Sequence, residues 1–206
     1  MDAIPVDTSR YIAFEGIEGA GKSTIAKHVA KRLEAGGHAV VRVREPGGTD
    51  VGEAVRSILL DGTHHPNPRS EAALFAAARA QLVHDVVLPA LEDGAYVLSD
   101  RSAYSSLAYQ AGGRGIALDE IRTLNDIAID GVWPGTVVLL RLDAATGLAR
   151  QAVGDRIGDE GQAFHAAVAA TFDELAAQEP ERFIIVDATL PIDDVIDAVV
   201  DRIGAG

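Results

Sequence analysis

The chain has 206 residues, 31 of them acidic against 18 basic for a formal charge of -13, no cysteine, and 48% apolar residues spread along its length. That length suits one domain with a substantial core, the acidic surplus disfavours a nucleic-acid backbone or an anionic membrane as partner, and no run approaches the ~18 continuous apolar residues of a membrane helix. Disulfides and thiolate metal sites are excluded. A small anionic ligand remains open because it responds to local charge: the lysines all lie between Lys22 and Lys31, while acidic pairs such as Asp159-Glu160 and Asp193-Asp194 read as solvated surface.

In chain order, residues 1–9 have neither a basic n-region nor an apolar h-region, so no secretory signal is expected. The segment reads as a short mobile tail, and the cytoplasm is the expected compartment. Short β-branched runs follow at Tyr11-Phe14, Ala39-Val43, Tyr96-Leu98, Thr136-Leu142 and Phe183-Val186. Between them, Lys22-Leu33, Glu53-Leu60, Glu71-Leu91, Leu118-Ile129 and Gln162-Gln178 are rich in Ala and Leu at helical spacing. This alternation predicts an α/β fold: a five-stranded parallel sheet with helices on both faces, three layers in all, binding ligands at the carboxyl ends of its strands. No repeat or low-complexity linker interrupts the pattern, so residues 1–206 read as one domain.

The first run leads into Gly16-Ile17-Glu18-Gly19-Ala20-Gly21-Lys22-Ser23, which fits G-x-x-x-x-G-K-[ST] with a strand before it and a helix after. Its glycines permit a tight turn whose backbone N–H groups cradle phosphate. Lys22 reaches the terminal phosphates, and the Ser23 hydroxyl suits Mg²⁺. Nucleoside triphosphate and Mg²⁺ are therefore implied, and the lack of an N-K-x-D segment weakens a guanine switch. The group Glu15-Gly16 follows the first run, Arg44-Glu45-Pro46-Gly47-Gly48 the second and Asp100-Arg101 the third, so three candidate elements converge on one sheet edge.

Two helices complete the pattern. Phe75 and Arg79, four residues apart, present an aromatic plane and a forked donor, a pairing suited to holding a base. After Arg101, the serines Ser102, Ser105 and Ser106 and Tyr109 fall on one helical stripe, with Gln110 at its edge and Ala103, Leu107 and Ala111 opposite. A polar stripe without charge beside a strand end reads as a ligand wall. The Gly154–Gly161 stretch GDRIGDEG reads as a mobile loop, and the histidines show no metal-ligand spacing, His64-His65 being an exposed loop.

Taken in order, FEGIEGAGKST, REPGGT, LFAAARAQ and DRSAYSSLAYQAGGRG resemble the bacterial thymidylate kinase family from Tyr11 to about Asp187. The resemblance implies a P-loop NTPase-type fold that moves the γ-phosphoryl of ATP to dTMP. It implies ATP on Gly16 to Thr24 and dTMP across Phe75 and the Asp100 to Gln110 segment. Phe75 would stack on thymine and Arg79 donate to its O4. Arg101, with Arg44 or Arg56, would hold the acceptor phosphate, beside Pro46. Glu18 and Glu45 match acidic positions near sugar and metal, Asp100 would orient Mg²⁺, and Tyr109 would crowd a ribose 2′-hydroxyl. Ser105, Ser106 and Gln110 would check sugar and base. Lys22, Arg101, Glu18 and two lid arginines, Arg150 and Arg156 in a lid at about 150–161, form the implied catalytic set, and relatives imply a homodimer.

The chain departs from the family pattern in a shorter, less basic lid, in Ser102 where an aromatic or histidine is common, and in Ala78 and Leu82 at commonly polar positions. The residues leave open a kinase for another deoxynucleoside monophosphate, such as dUMP or a modified one, and a non-catalytic ATP-binding regulator.

Overall fold

A computed structural model describes residues 6–150, 156–158 and 160–204. The apolar runs form five strands, β1 Tyr11–Glu15, β2 Val40–Arg44, β3 Tyr96–Asp100, β4 Thr136–Arg141 and β5 Phe183–Asp187. They pair in parallel in the order β2-β3-β1-β4-β5. β1 is therefore central and buried at every residue, which is why Tyr11 to Phe14 read as an unbroken apolar run. Successive residues serve opposite faces: Ile12 and Phe14 join a core with Val29, Leu33 and Val199, while Tyr11 joins another with Leu82, Val83 and Val87.

The helices are α1 Lys22–Ala35, α2 Asp50–Leu60, α3 Pro68–Leu82, α4 Leu88–Glu92, α5 Ala103–Ser106, α6 Leu118–Ile129, α7 Ala144–Arg150, α8 Gln162–Gln178 and α9 Ile192–Arg202. Local chemistry starts several of them. The Thr49 hydroxyl accepts the Gly52 N–H to cap α2, and Asn67 accepts from Ser70 with Pro68 at the first turn of α3. α7 and α9 lie outside the segments read as helical, although Val195, Ile196, Val199 and Val200 bury one face of α9.

The predicted helix Glu71-Leu91 is not continuous: a π-helical turn, Val83–Val87, separates α3 from α4. Pro89 has no N–H to give the Asp85 carbonyl, and a wider turn accommodates the vacancy. By length and composition the stretch Pro68–Glu92 could cross a membrane, but it carries buried Glu71 and Arg79 and packs on α2 and α6.

Of the tail read at 1–9, residues 1–5 lie outside the described residues. The rest is anchored: Val6 packs against the core under α4, and the Thr8 carbonyl accepts the Tyr11 N–H at 2.9 Å. Of the lid read at about 150–161, half the residues, 151–155 and 159, lie outside the description; Arg150, a turn at Arg156–Gly158, Glu160 and Gly161 are described.

Register places the site. Phe14 pairs with Asp100 and Asp100 with Arg44, so β1, β2 and β3 end at one level. The strand order reverses about β1, and a crevice opens there beyond the strand ends.

Candidate active site

Between β1 and α1 the phosphate loop turns on Gly16, Gly19 and Gly21, all at positive φ. A Cβ on Gly19 would lie 2.3 Å from the Gly147 carbonyl oxygen, so a side chain there collides with backbone as well as with its own left-handed torsion. Gly21 caps α1 without a side-chain bond, leaving the helix N-terminal amides turned to the crevice. Lys22 is buried and its Nζ donates to the Gly16 and Ile17 carbonyls at 3.0 and 2.8 Å. Burial, then the charge of Arg101, lowers its pKa to about 8. The Ser23 hydroxyl donates to the Asp100 carboxylate across from it.

β3 delivers Asp100 and then Arg101, whose φ of 73° lies in the left-handed region that a non-glycine residue rarely adopts. Its N–H donates to the Phe14 carbonyl at 3.0 Å, and its carbonyl accepts from the Ser99 hydroxyl at 2.5 Å. Held on both sides, the strained backbone throws the guanidinium back over the loop. There it donates to Glu18 at 2.7 Å and to the Ser105 hydroxyl at 3.3 Å, lying 5.0 Å over the Tyr109 ring. Glu18 also accepts from the Tyr109 hydroxyl at 2.8 Å, and His165 Nδ1 stands 3.2 Å away. Burial alone would raise the Glu18 pKa; Arg101, His165 and Lys22 outweigh it and hold the carboxyl well below its ordinary range.

These groups line a cavity of about 530 Å³ with Arg44, Glu45, Pro46, Arg56, Phe75, Ser105, Ser106, Gln110 and Arg150, a volume suited to a nucleotide-sized ligand. Arg44 pairs with Glu53 at 2.8 Å, and Arg56 donates to the Pro46 carbonyl at 2.9 Å, so both cations sit on the loop after β2. The peptide between Glu45 and Pro46 is cis. Of the remaining loop residues, Ala20, Gly21 and Thr24 line an adjoining cleft of about 190 Å³ with Arg150, Ala188 and Leu190. Gly16 and Ile17 form the loop's base toward Leu140.

Three expectations need correction. Arg79 does not line the cavity. Its side chain is 2% exposed, donating to Glu45 at 2.6 Å, to Ser106 at 3.1 Å, to the Ser102 carbonyl at 3.1 Å and to Asn125. A buried guanidinium must satisfy its N–H groups, and in this arrangement it does so behind the wall, leaving Ser106 and Gln110 facing the ligand space. Arg156 likewise turns from the phosphate loop, donating to the Leu59 carbonyl at 2.8 Å and Glu71 at 2.6 Å. Ser102 does not share the polar stripe. It precedes α5 in extended conformation, caps it and donates to Glu15 at 2.7 Å. The helix beyond α5 becomes π-helical over Leu107–Gly113, and this wider turn is compatible with Tyr109 and Gln110 both lining the cavity.

Leu60 and Ile157 were not singled out from sequence, and Glu15 was marked there only as part of the group that follows the first strand run. Glu15, 0% exposed at the end of β1, accepts from Ser102 and from the Ser105 N–H and hydroxyl, at 2.7, 3.1 and 2.6 Å. Burial raises its pKa against those bonds and the nearby Arg101. Glu45 is also pushed up by burial, and its Oε1 has no hydrogen-bond partner among the described residues. Leu60 and Ile157 complete the apolar lining around Phe75. A carboxylate directly after a buried strand was the one available signal for Glu15; nothing local marks Leu60 or Ile157.

For a divalent cation, the paired Ser23 and Asp100 oxygens are hard donors at the cavity mouth. No group of three or more His, Cys, Asp or Glu side chains able to hold a metal occurs among the described residues, so such an ion would complete its shell from phosphate oxygens and water.

The sequence profile described as thymidylate kinase matches residues 14–199. The thymidylate kinase of Deinococcus radiodurans is 47% identical over 188 residues, covering 90% of this chain and 91% of that one. That of Thermomicrobium roseum is 45% identical over 195 residues, covering 93% and 92%. Among solved structures, the thymidylate kinase of Ehrlichia chaffeensis superposes with a TM-score of 0.78 at 31% identity, covering 94% of this chain and 97% of that one.

Proposed function

The chain belongs to the thymidylate kinase family and phosphorylates dTMP to dTDP at the expense of ATP, and from that premise we propose how its cavity divides the reaction. ATP lays its phosphates on the loop Gly16 to Thr24, with Lys22 at the β- and γ-phosphates and its base toward the cleft of Thr24, Arg150 and Leu190. Mg²⁺ is held by Ser23 and Asp100; when bound it neutralises charge on the phosphates. dTMP occupies the larger cavity, thymine on Phe75 and sugar against Tyr109 and Glu18, with Ser105, Ser106 and Gln110 facing it. Arg101, with Arg44 or Arg56, grips its phosphate.

The observation that carries this reading is that Arg101 and the phosphate loop open into the same space as Phe75. An acceptor phosphate with a second pKa of about 6 is already largely dianionic at neutral pH. No general base is needed, and the residues' work is to align the two phosphates and stabilise the charge on the moving group. Lys22, Arg44, Arg56, Arg101 and Arg150 are cations that line the space for this. Arg156 and Arg79 hold the walls.

Release of ADP, followed by a coupled assay with dTMP, dUMP, dCMP, AMP and GMP, tests the reading. Turnover is expected to be greatest with dTMP; ADP release with dTMP no faster than without acceptor would overturn it, and preference for another monophosphate would overturn the base assignment. We further propose a cytoplasmic homodimer: ATP and dTMP are cytoplasmic metabolites, and Val51 and Ile58 on α2 with Ile127 on α6, 77% exposed, offer apolar surface for a second copy. Light scattering giving the mass of one chain would exclude the dimer.

A further inference from the structure

Glu71 lies in the first turn of α3, one turn before Phe75, and is 1% exposed. Segments remote in sequence aim N–H groups at its carboxylate. Gln110 donates at 3.0 Å, Arg114 at 3.1 and 3.2 Å, and Arg156 at 2.6 Å. Arg114 also pairs with Glu160 at 2.5 Å and lies 4.7 Å over the Phe164 ring. Two acids and two guanidiniums therefore form one partly buried network. Burial would raise the Glu71 pKa, but the donors outweigh it and hold the carboxyl below its ordinary range.

The Gln110 and Arg156 branches of this network end on the ligand cavity, while the Arg114 branch runs to Glu160 and Phe164 away from it. Gln110 itself lines it, Arg156 carries Ile157 beside it, and the Leu59 carbonyl that Arg156 also holds precedes Leu60. Glu71 does not line the cavity, nor does it bond to any residue of the phosphate loop. We propose that Glu71 is a positioning residue for the acceptor: by clamping Gln110, Arg156 and the start of α3 together it sets the separation of Phe75, Gln110 and Ile157, and so the grip on dTMP. The inference rests on the reading of this cavity as the acceptor site. Without the charge, Arg156 retains the Leu59 carbonyl and Arg114 retains Glu160, and the Ile157 wall loses its shorter anchor while the phosphate loop is untouched.

The test is steady-state kinetics on Glu71→Gln and Glu71→Asp in both substrates. Loss of a buried charge-assisted bond predicts a KM for dTMP about tenfold higher in Glu71→Gln, with the KM for ATP within about twofold of wild type. Glu71→Asp, which keeps the charge, falls between. An unmoved dTMP KM, or parallel rises in both KM values, overturns the proposal. Should Glu71→Gln fail to fold, Arg156→Gln decides: it leaves the Gln110 and Arg114 bonds in place and is expected to raise the dTMP KM, whereas a fall in kcat at unchanged KM would make Arg156 a catalytic residue and overturn the clamp. Phe75→Ala in the same series tests the premise separately. If it too leaves the dTMP KM unmoved, the acceptor site has been misplaced and the proposal falls with it.

Discussion

From Gly16 to Ser23 the phosphate-loop side of the cavity is shaped by its own backbone: three left-handed glycines, helix-start amides without a side-chain cap, and a lysine bonded to carbonyls five and six residues before it. Across the cavity the wall proposed to take the acceptor is shaped by side chains that meet from far apart. Glu45 and Arg79 are 34 residues apart, Glu71 and Arg114 43, and Glu15 and Ser105 90. One side is a local motif that tolerates exchange of most neighbours. The other is a set of buried charges, each of which depends on its partner remaining in place.

That contrast sets where substitutions act. The largest effect is expected on the wall: Arg79→Met strands the Glu45 carboxylate in the interior and should lower folding stability by about 3–5 kcal/mol, read from urea denaturation. Lys22→Ala is expected to do the opposite, lowering kcat by roughly 10²–10³-fold while moving stability much less, since its two carbonyl partners are at a loop that nucleotide and water can reach. If Lys22→Ala proved the more destabilising of the two, the division between a backbone-built and a side-chain-built half would be wrong.

His165 sharpens the comparison because it joins the halves, standing between Glu18 of the phosphate loop and the Gly158 carbonyl at 3.2 Å on each side. The Glu18 carboxylate beside it raises its pKa above the ordinary 6.5, against burial. A pKa raised by folding gives stability that is complete below the unfolded value and disappears as pH rises through the folded one. The stability difference between wild type and His165→Gln should thus be greatest near pH 6 and shrink at higher pH. This is the smallest effect of the three, and a difference independent of pH would show that the imidazole acts by packing alone.

The strands and main helices could be read from apolar spacing because each buries a face that repeats along a continuous segment. Boundaries slipped where polar residues were carried into the sheet: Glu15 extends β1, and Ser99 and Asp100 extend β3, because parallel pairing satisfies their backbone whatever the side chain. The break at Val83–Val87 was foreshadowed by Pro89, whereas the π-helical run after Ser106 had no such local sign.

For the cavity, sequence patterns already pointed to the phosphate loop, Phe75, Arg101 and the Ser105 to Gln110 segment that line it, since each is a short pattern in which chemistry and geometry travel together. Partner choice was decided only in the folded chain. Among the arginines near one ligand space, Arg44, Arg56, Arg101 and Arg150 line it, while Arg79 and Arg156 spend their N–H groups on buried carboxylates. Composition and spacing place a cation near a cavity. Which acid it meets is set by how α3, the loop after β2 and the turn at Arg156 pack together, because a buried guanidinium takes whichever carboxylate can satisfy it away from water.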